Sequence, residues 1–66
     1  MMDVQIYANG EDHLFHHVGI AHMDDGYNVI CAVAKKMNAR FTLDYDDILV
    51  QRWVSDNGCT AYVRYL

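Results

Sequence analysis

Four histidines, His13, His16, His17 and His22, crowd into ten residues of this chain. With Cys31 and Cys59 they are the side chains best suited to a transition metal, because zinc takes neutral imidazole and thiolate at tetrahedral geometry. On a helix His13 would share a face with His16 or His17. On a strand His13 and His17 point one way and His16 the other. Neither a C-x2-C nor an H-E-x-x-H spacing occurs, so the cluster also reads as solvated imidazoles. Four imidazoles in an acidic stretch would gain positive charge as pH falls toward about 6.

The second chemical candidate is Asp44-x-Asp46-Asp47. It lacks the D-x-[DN]-x-[DN]-G register and the distant bidentate Glu of a calcium loop, and reads as an acidic turn. Carboxylate pairs do acid–base work only in a cleft that shifts one pKa, and so small a domain rarely forms one. A cysteine nucleophile needs a histidine and an electropositive niche. The charge around these cysteines is negative, so Cys31 and Cys59 read as small buried hydrophobes. Two cysteines are too few for a disulfide scaffold, which points to a reducing, cytoplasmic setting, with a Cys31–Cys59 bridge as the exception. Neither a catalytic constellation nor a cofactor motif emerges, and the expectation is a non-enzymatic protein.

What must position these residues is one small domain. Sixty-six residues hide only about 60% of the surface of the unfolded chain, so stability is marginal. Apolar residues make up 53%, enough for a folded core. The net charge of −4 argues against direct nucleic-acid binding, which needs a basic face to displace counterions. Charge is uneven along the chain. Residues 1–34 carry Asp3, Glu11, Asp12, Asp24 and Asp25 without a lysine or arginine, while residues 35–66 set Lys35, Lys36, Arg40, Arg52 and Arg64 against Asp44, Asp46, Asp47 and Asp56. Asp3 stands where a basic signal-peptide region would lie, and no apolar run reaches bilayer length.

Val4, Ile6 and Ala8 alternate with polar residues and predict a half-buried strand, closed by a tight turn at Asn9-Gly10. Residues 11–22 fit a strand, with Leu14, Val18 and Ile20 on one face, or a helix with Glu11 and Asp12 at its amino end. Gly19 and the β-branched neighbours favour the strand. Asp24-Asp25-Gly26 then punctuates the chain. Tyr27 to Asn38 predicts a helix, with Val29, Ile30, Val33, Ala34 and Met37 on one face. Asp24 or Asp25 would cap it, Lys35 and Lys36 would complement its dipole, and Asn38 would end it. Arg40 to Tyr45 alternates again, placing Phe41, Leu43 and Tyr45 together.

Ile48 to Leu66 completes the chain as a hairpin around Asp56-Asn57-Gly58. If Asn57-Gly58 is a two-residue turn, Trp53 faces Tyr62 and Leu49 faces Leu66. If all three residues form the loop with Gly58 left-handed, Trp53 sits beside Ala61 and joins the core. Either way Cys59, Ala61, Val63 and Tyr65 share the helix side, while Tyr62 and Arg64 point away. The expected fold is a ββαβββ α+β domain, an antiparallel sheet with one helix on one face. The alternative is βααβββ, with residues 11–22 helical.

The expected function is protein binding. Glu11, Asp12, Asp24, Asp25, Asp44, Asp46 and Asp47 supply a steering field. Trp53, Tyr62 and Arg64 are residue types enriched at binding hot spots. Such a protein suits a larger basic, nucleic-acid-binding partner and would act as a monomer or weak homodimer. In size, acidity and lack of an enzyme motif the chain is similar to the small anti-defence proteins of phages and mobile elements, the anti-CRISPR proteins among them. That similarity is one of profile, implies an inhibitor, and transfers no functional positions. The alternative is a small metal-binding or metal-sensing module built on His13, His16, His17 and His22.

Overall fold

The computed structural model describes residues 1–65. In chain order the elements are β1 (Met2–Ala8), β2 (His13–Ile20), α1 (Met23–Met37), β3 (Phe41–Asp46), β4 (Val50–Ser55) and β5 (Thr60–Tyr65). The five strands form one antiparallel sheet in the order β2-β1-β5-β4-β3, with α1 packed on one face. This is the expected ββαβββ domain, and residues 13–20 are a strand, not a helix. Asn9 (φ 53°) and Gly10 (φ 72°) make the left-handed turn between β1 and β2.

The helix starts at Met23, four residues before Tyr27. Asp24-Asp25-Gly26 therefore belongs to its first turns rather than to a loop. The backbone of His22 is extended and forms the N-cap, and its N–H donates to Asp25 Oδ2 at 3.2 Å. Gly26 is present for packing: a Cβ there would meet Val63 Cγ1 at 2.6 Å. At the other end Asn38 is left-handed (φ 53°), and the Ala39 N–H closes onto the Ala34 carbonyl at 2.9 Å.

The core is small. Val4, Ile6, Ile30, Ala61 and Val63 are fully buried, bordered by Val18, Ile20, Met23, Val29, Val33, Phe41 and Trp53. Burial of apolar area contributes about 25 cal/mol per Å², so these few side chains supply most of the driving force for docking α1.

Three register details decide which side chains face the helix. Trp53 pairs with Ala61 and Val54 with Thr60, leaving Asp56-Asn57-Gly58 as a three-residue loop with Gly58 at φ 87°. The loop is held by Ser55, whose N–H donates to the Cys59 carbonyl and whose Oγ accepts the Cys59 N–H at 2.8 Å. Trp53 thus lies on the helix face, with its ring 5.8 Å from that of Tyr27. Leu66, the alternative partner of Leu49, lies outside the described residues.

Two bulges supply the other details. In β3, Leu43 pairs with Trp53 but Tyr45 pairs with Arg52, so Asp44 is the extra residue. Tyr45 consequently turns to the open face, away from Phe41 and Leu43. In β2, His16 pairs with Ile6 but Leu14 pairs with Tyr7, leaving Phe15 extra. His13 and His16 therefore pair with residues of the helix face, Ala8 and Ile6, and His17 lies opposite Gln5 on the open face. The strand pattern alone puts His13 with His17, and the bulge reverses it.

Candidate functional site

Among the described residues no other element covers the open face of the sheet, yet it is not an unoccupied patch. Asp3 is only 2% exposed although its side chain lies on this face. Arg64, its cross-strand neighbour on β5, donates Nε–H to Asp3 Oδ1 at 3.0 Å, and His17 from β2 approaches Oδ2 at 2.7 Å. Burial pushes the Asp3 carboxyl up. The bonds and charges of Arg64 and His17 outweigh it, and the group stays ionised to below the usual carboxylate range. Beside this trio the Tyr62 hydroxyl donates to Glu11, and the Tyr7 ring meets Tyr62 edge-on at 6.1 Å. Glu11 raises the Tyr62 phenol above its ordinary value, so it stays a donor. Further along, Arg52 grips Asp44 through Nε at 2.8 Å and Nη2 at 2.6 Å.

Of the expected anchors, Tyr62 and Arg64 do lie on this face, but their polar atoms are already bonded within the chain. Trp53 is on the opposite side, for the register reason given above. The open face is a hydrogen-bonded layer that holds β2, β1 and β5 together.

Apart from Asp3 and Asp44, which pair with arginines, the carboxylates fall into two groups set by strand direction. One end of the sheet carries Met2, Ile20, Tyr65, Val50 and Asp46, and the other carries Ala8, His13, Thr60 and Phe41. Asp24 and Asp25, in the first turn of the helix after β2, share the first end with Asp46 and Asp47. Glu11, Asp12 and Asp56 lie at the second, where the Gly10 N–H bonds the Gly58 carbonyl at 2.9 Å. The fold therefore sorts charge by end rather than by half of the sequence. Lys35, Lys36 and Arg40 stand at the second end, at and beyond the carboxyl terminus of α1.

At the first end the turn between β3 and β4 carries an apolar tip that sequence reading assigns to a strand. The Asp47 N–H donates to the Val50 carbonyl at 2.9 Å, leaving Ile48 and Leu49 at the turn, 82% and 61% exposed. Tyr65 and Met1 are exposed beside this end of the sheet. Turns normally hold Gly, Asn, Asp or Ser, so an Ile-Leu pair directly after Asp46-Asp47 is the signal that could have located the tip. Asp47 accepts the Tyr45 hydroxyl at 2.9 Å and the N–H groups of Ile48 and Leu49, which hold its carboxyl below the usual range.

On the helix side Tyr27, Ile30, Cys31, Ala34, Phe41 and Trp53 line a groove of about 290 Å³ with Arg40 at its rim. Cys31 is exposed in it rather than buried as the sequence suggests, and lies beside the Tyr27 hydroxyl, while Cys59 is buried. Both are free thiols. Among the described residues no three His, Cys, Asp or Glu side chains converge as a metal site. The four histidines spread along β2 and its exit. Asp44 and Asp47 are engaged separately by Arg52 and Tyr45. Among the described residues no helix is long and apolar enough to cross a membrane.

No protein-family model, curated protein or solved structure matches the chain.

Proposed function

We propose that this is a non-enzymatic binding protein that docks on a larger, basic, nucleic-acid-binding partner and obstructs it, in the manner of a phage or mobile-element anti-defence inhibitor. The observation that carries the reading is the composition of one end of the sheet. Ile48 and Leu49 project from the β3–β4 turn, with Asp46 and Asp47 directly before them and Asp24 and Asp25 at the same end. The arginines of the neighbouring strands, Arg64 and Arg52, are paired with Asp3 and Asp44, so the four carboxylates keep their field. An apolar anchor preceded by Asp46 and Asp47, with Asp24 and Asp25 at the same end of the sheet, fits a groove that otherwise takes a phosphate backbone: the carboxylates steer and orient, and the aliphatic tip resists dissociation.

The test is affinity capture from the native host's lysate at low and high salt, read by mass spectrometry. The wild-type chain should retain basic nucleic-acid-binding proteins at low salt and lose much of them at high salt. Two variants locate the site. Asp24→Asn, Asp25→Asn, Asp46→Asn and Asp47→Asn together should abolish the salt-sensitive part. Ile48→Asp with Leu49→Asp should shorten the residence of whatever remains. Capture that survives both sets of changes would place the docking surface elsewhere.

A further inference from the structure

We infer that β3 is a self-recognition edge, through which two copies of this chain pair antiparallel, each setting its Asp46–Leu49 tip against the Arg40 corner of the other. This does not rest on the proposed partner, although both use the same tip and would exclude one another.

The sheet has two edges, β2 and β3, and each leaves one side of its backbone unpaired among the described residues. Such edges template pairing with another chain unless something opposes it. Their flanking charges differ. β2 is preceded by Glu11 and Asp12 and followed by Asp24 and Asp25. An antiparallel pair of β2 strands would set acidic residues against acidic residues at both ends. β3 is preceded by Arg40 and ends in Asp46 and Asp47. Its antiparallel pair sets Arg40 of each copy against Asp46 and Asp47 of the other, and two-fold symmetry makes that contact twice.

Side-chain pairing supports the same choice. Among the described residues Arg52 and Arg64 have carboxylate partners, Asp44 and Asp3, whereas no ion pair engages the Arg40 guanidinium. Arg40 is tied down only through its backbone, whose N–H donates to Asp56 Oδ1 at 3.1 Å. Every β3 residue after Phe41 is exposed, including Leu43 and Tyr45. Ile48 and Leu49 follow the acidic end of the strand, and the aromatic groove of Tyr27, Phe41 and Trp53 opens at its basic end. Antiparallel pairing therefore brings an aliphatic tip toward an apolar groove. The bulge at Asp44 limits the flat run of β3, which makes the pair reversible rather than obligate.

Sedimentation equilibrium tests this directly. Wild-type protein should shift from monomer toward twice the monomer mass as concentration rises to about 1 mM. Arg40→Glu alone, and Asp46→Lys alone, should each weaken self-association about tenfold, because like charges then meet twice. An equimolar mixture of the two variants should associate more tightly than either alone, since opposite charges meet again. Both positions are exposed and their side chains bond nothing else among the described residues, so wild-type circular dichroism is expected of each; Arg40→Gln and Asp46→Asn, weakening association less, provide the same comparison without reversal. A wild-type chain that stays monomeric throughout, or a mixture no tighter than its components, overturns the inference.

Discussion

The two faces of this sheet are held by different physics. Toward the helix, Val4, Ile6, Ala61 and Val63 are buried against Ile30, an apolar contact without direction. Toward solvent, Asp3, Arg64 and His17 lock three strands through directional bonds, and Tyr62, Glu11, Arg52 and Asp44 extend the layer. The difference teaches where not to look for a binding surface. A face rich in Tyr and Arg resembles a hot spot by composition, but its donors are occupied. Among the described residues the Arg40 and Asp46 side chains, which make no internal bond, lie at ends of the sheet, as do the exposed Ile48 and Leu49.

Changes at four positions would break or sharpen this contrast. The largest effect belongs on the helix side. Ile30→Ala should cost about 2–5 kcal/mol, read by urea denaturation. That is comparable to the whole stability expected of so small a core, so the variant should be largely unfolded. Gly26→Ala should cost about 1–3 kcal/mol despite alanine's better helix propensity, because its methyl would run into Val63. A wild-type midpoint for Gly26→Ala would mean that the helix can lift without penalty.

On the solvent side Asp3→Ala should cost about 1–3 kcal/mol, less than the core cut, because Arg64 and His17 can turn to water. The pH dependence has a definite sign. The folded Asp3 carboxyl titrates below its ordinary value of 3.8, so its contribution is complete above that pH and fades as pH falls through the lower, folded value. Asp3→Asn should remove that part of the acid-induced loss of stability; an unchanged acid profile would mean that the buried carboxylate contributes nothing. Smallest is Arg52→Gln. Its ion pair with Asp44 is exposed, and the urea midpoint should not move measurably.

Much of the fold was legible because its signals are local. The Val29-Ile30-Val33 stripe, the left-handed Asn38 and the Asn9-Gly10 turn each follow from neighbours in sequence, and each stands where the pattern puts it. The solvent face was less legible because it depends on long-range register. Asp3 meets Arg64 across 61 positions and Glu11 meets Tyr62 across 51. The bulges at Phe15 and Asp44 leave no mark in composition, yet they turn His13 and Tyr45 to the other side. Gly26 misled for another reason: in sequence a glycine after two aspartates reads as a turn, whereas here it gives Val63 room inside a helix. Ile48 and Leu49 were hidden by their similarity to strand residues.

The position of β1 between β2 and β5 has a consequence for how the protein is made. A ribosome delivers β1 ahead of β2, α1, β3 and β4, and β5 after them, so one flank of β1 stays unsatisfied until all four have emerged. The hairpin of β1 and β2 cannot bury Val4 and Ile6 fully until β5 arrives. Assembly is therefore a single late closure, and a nascent chain stalled before residue 60 should remain a protease-sensitive precursor.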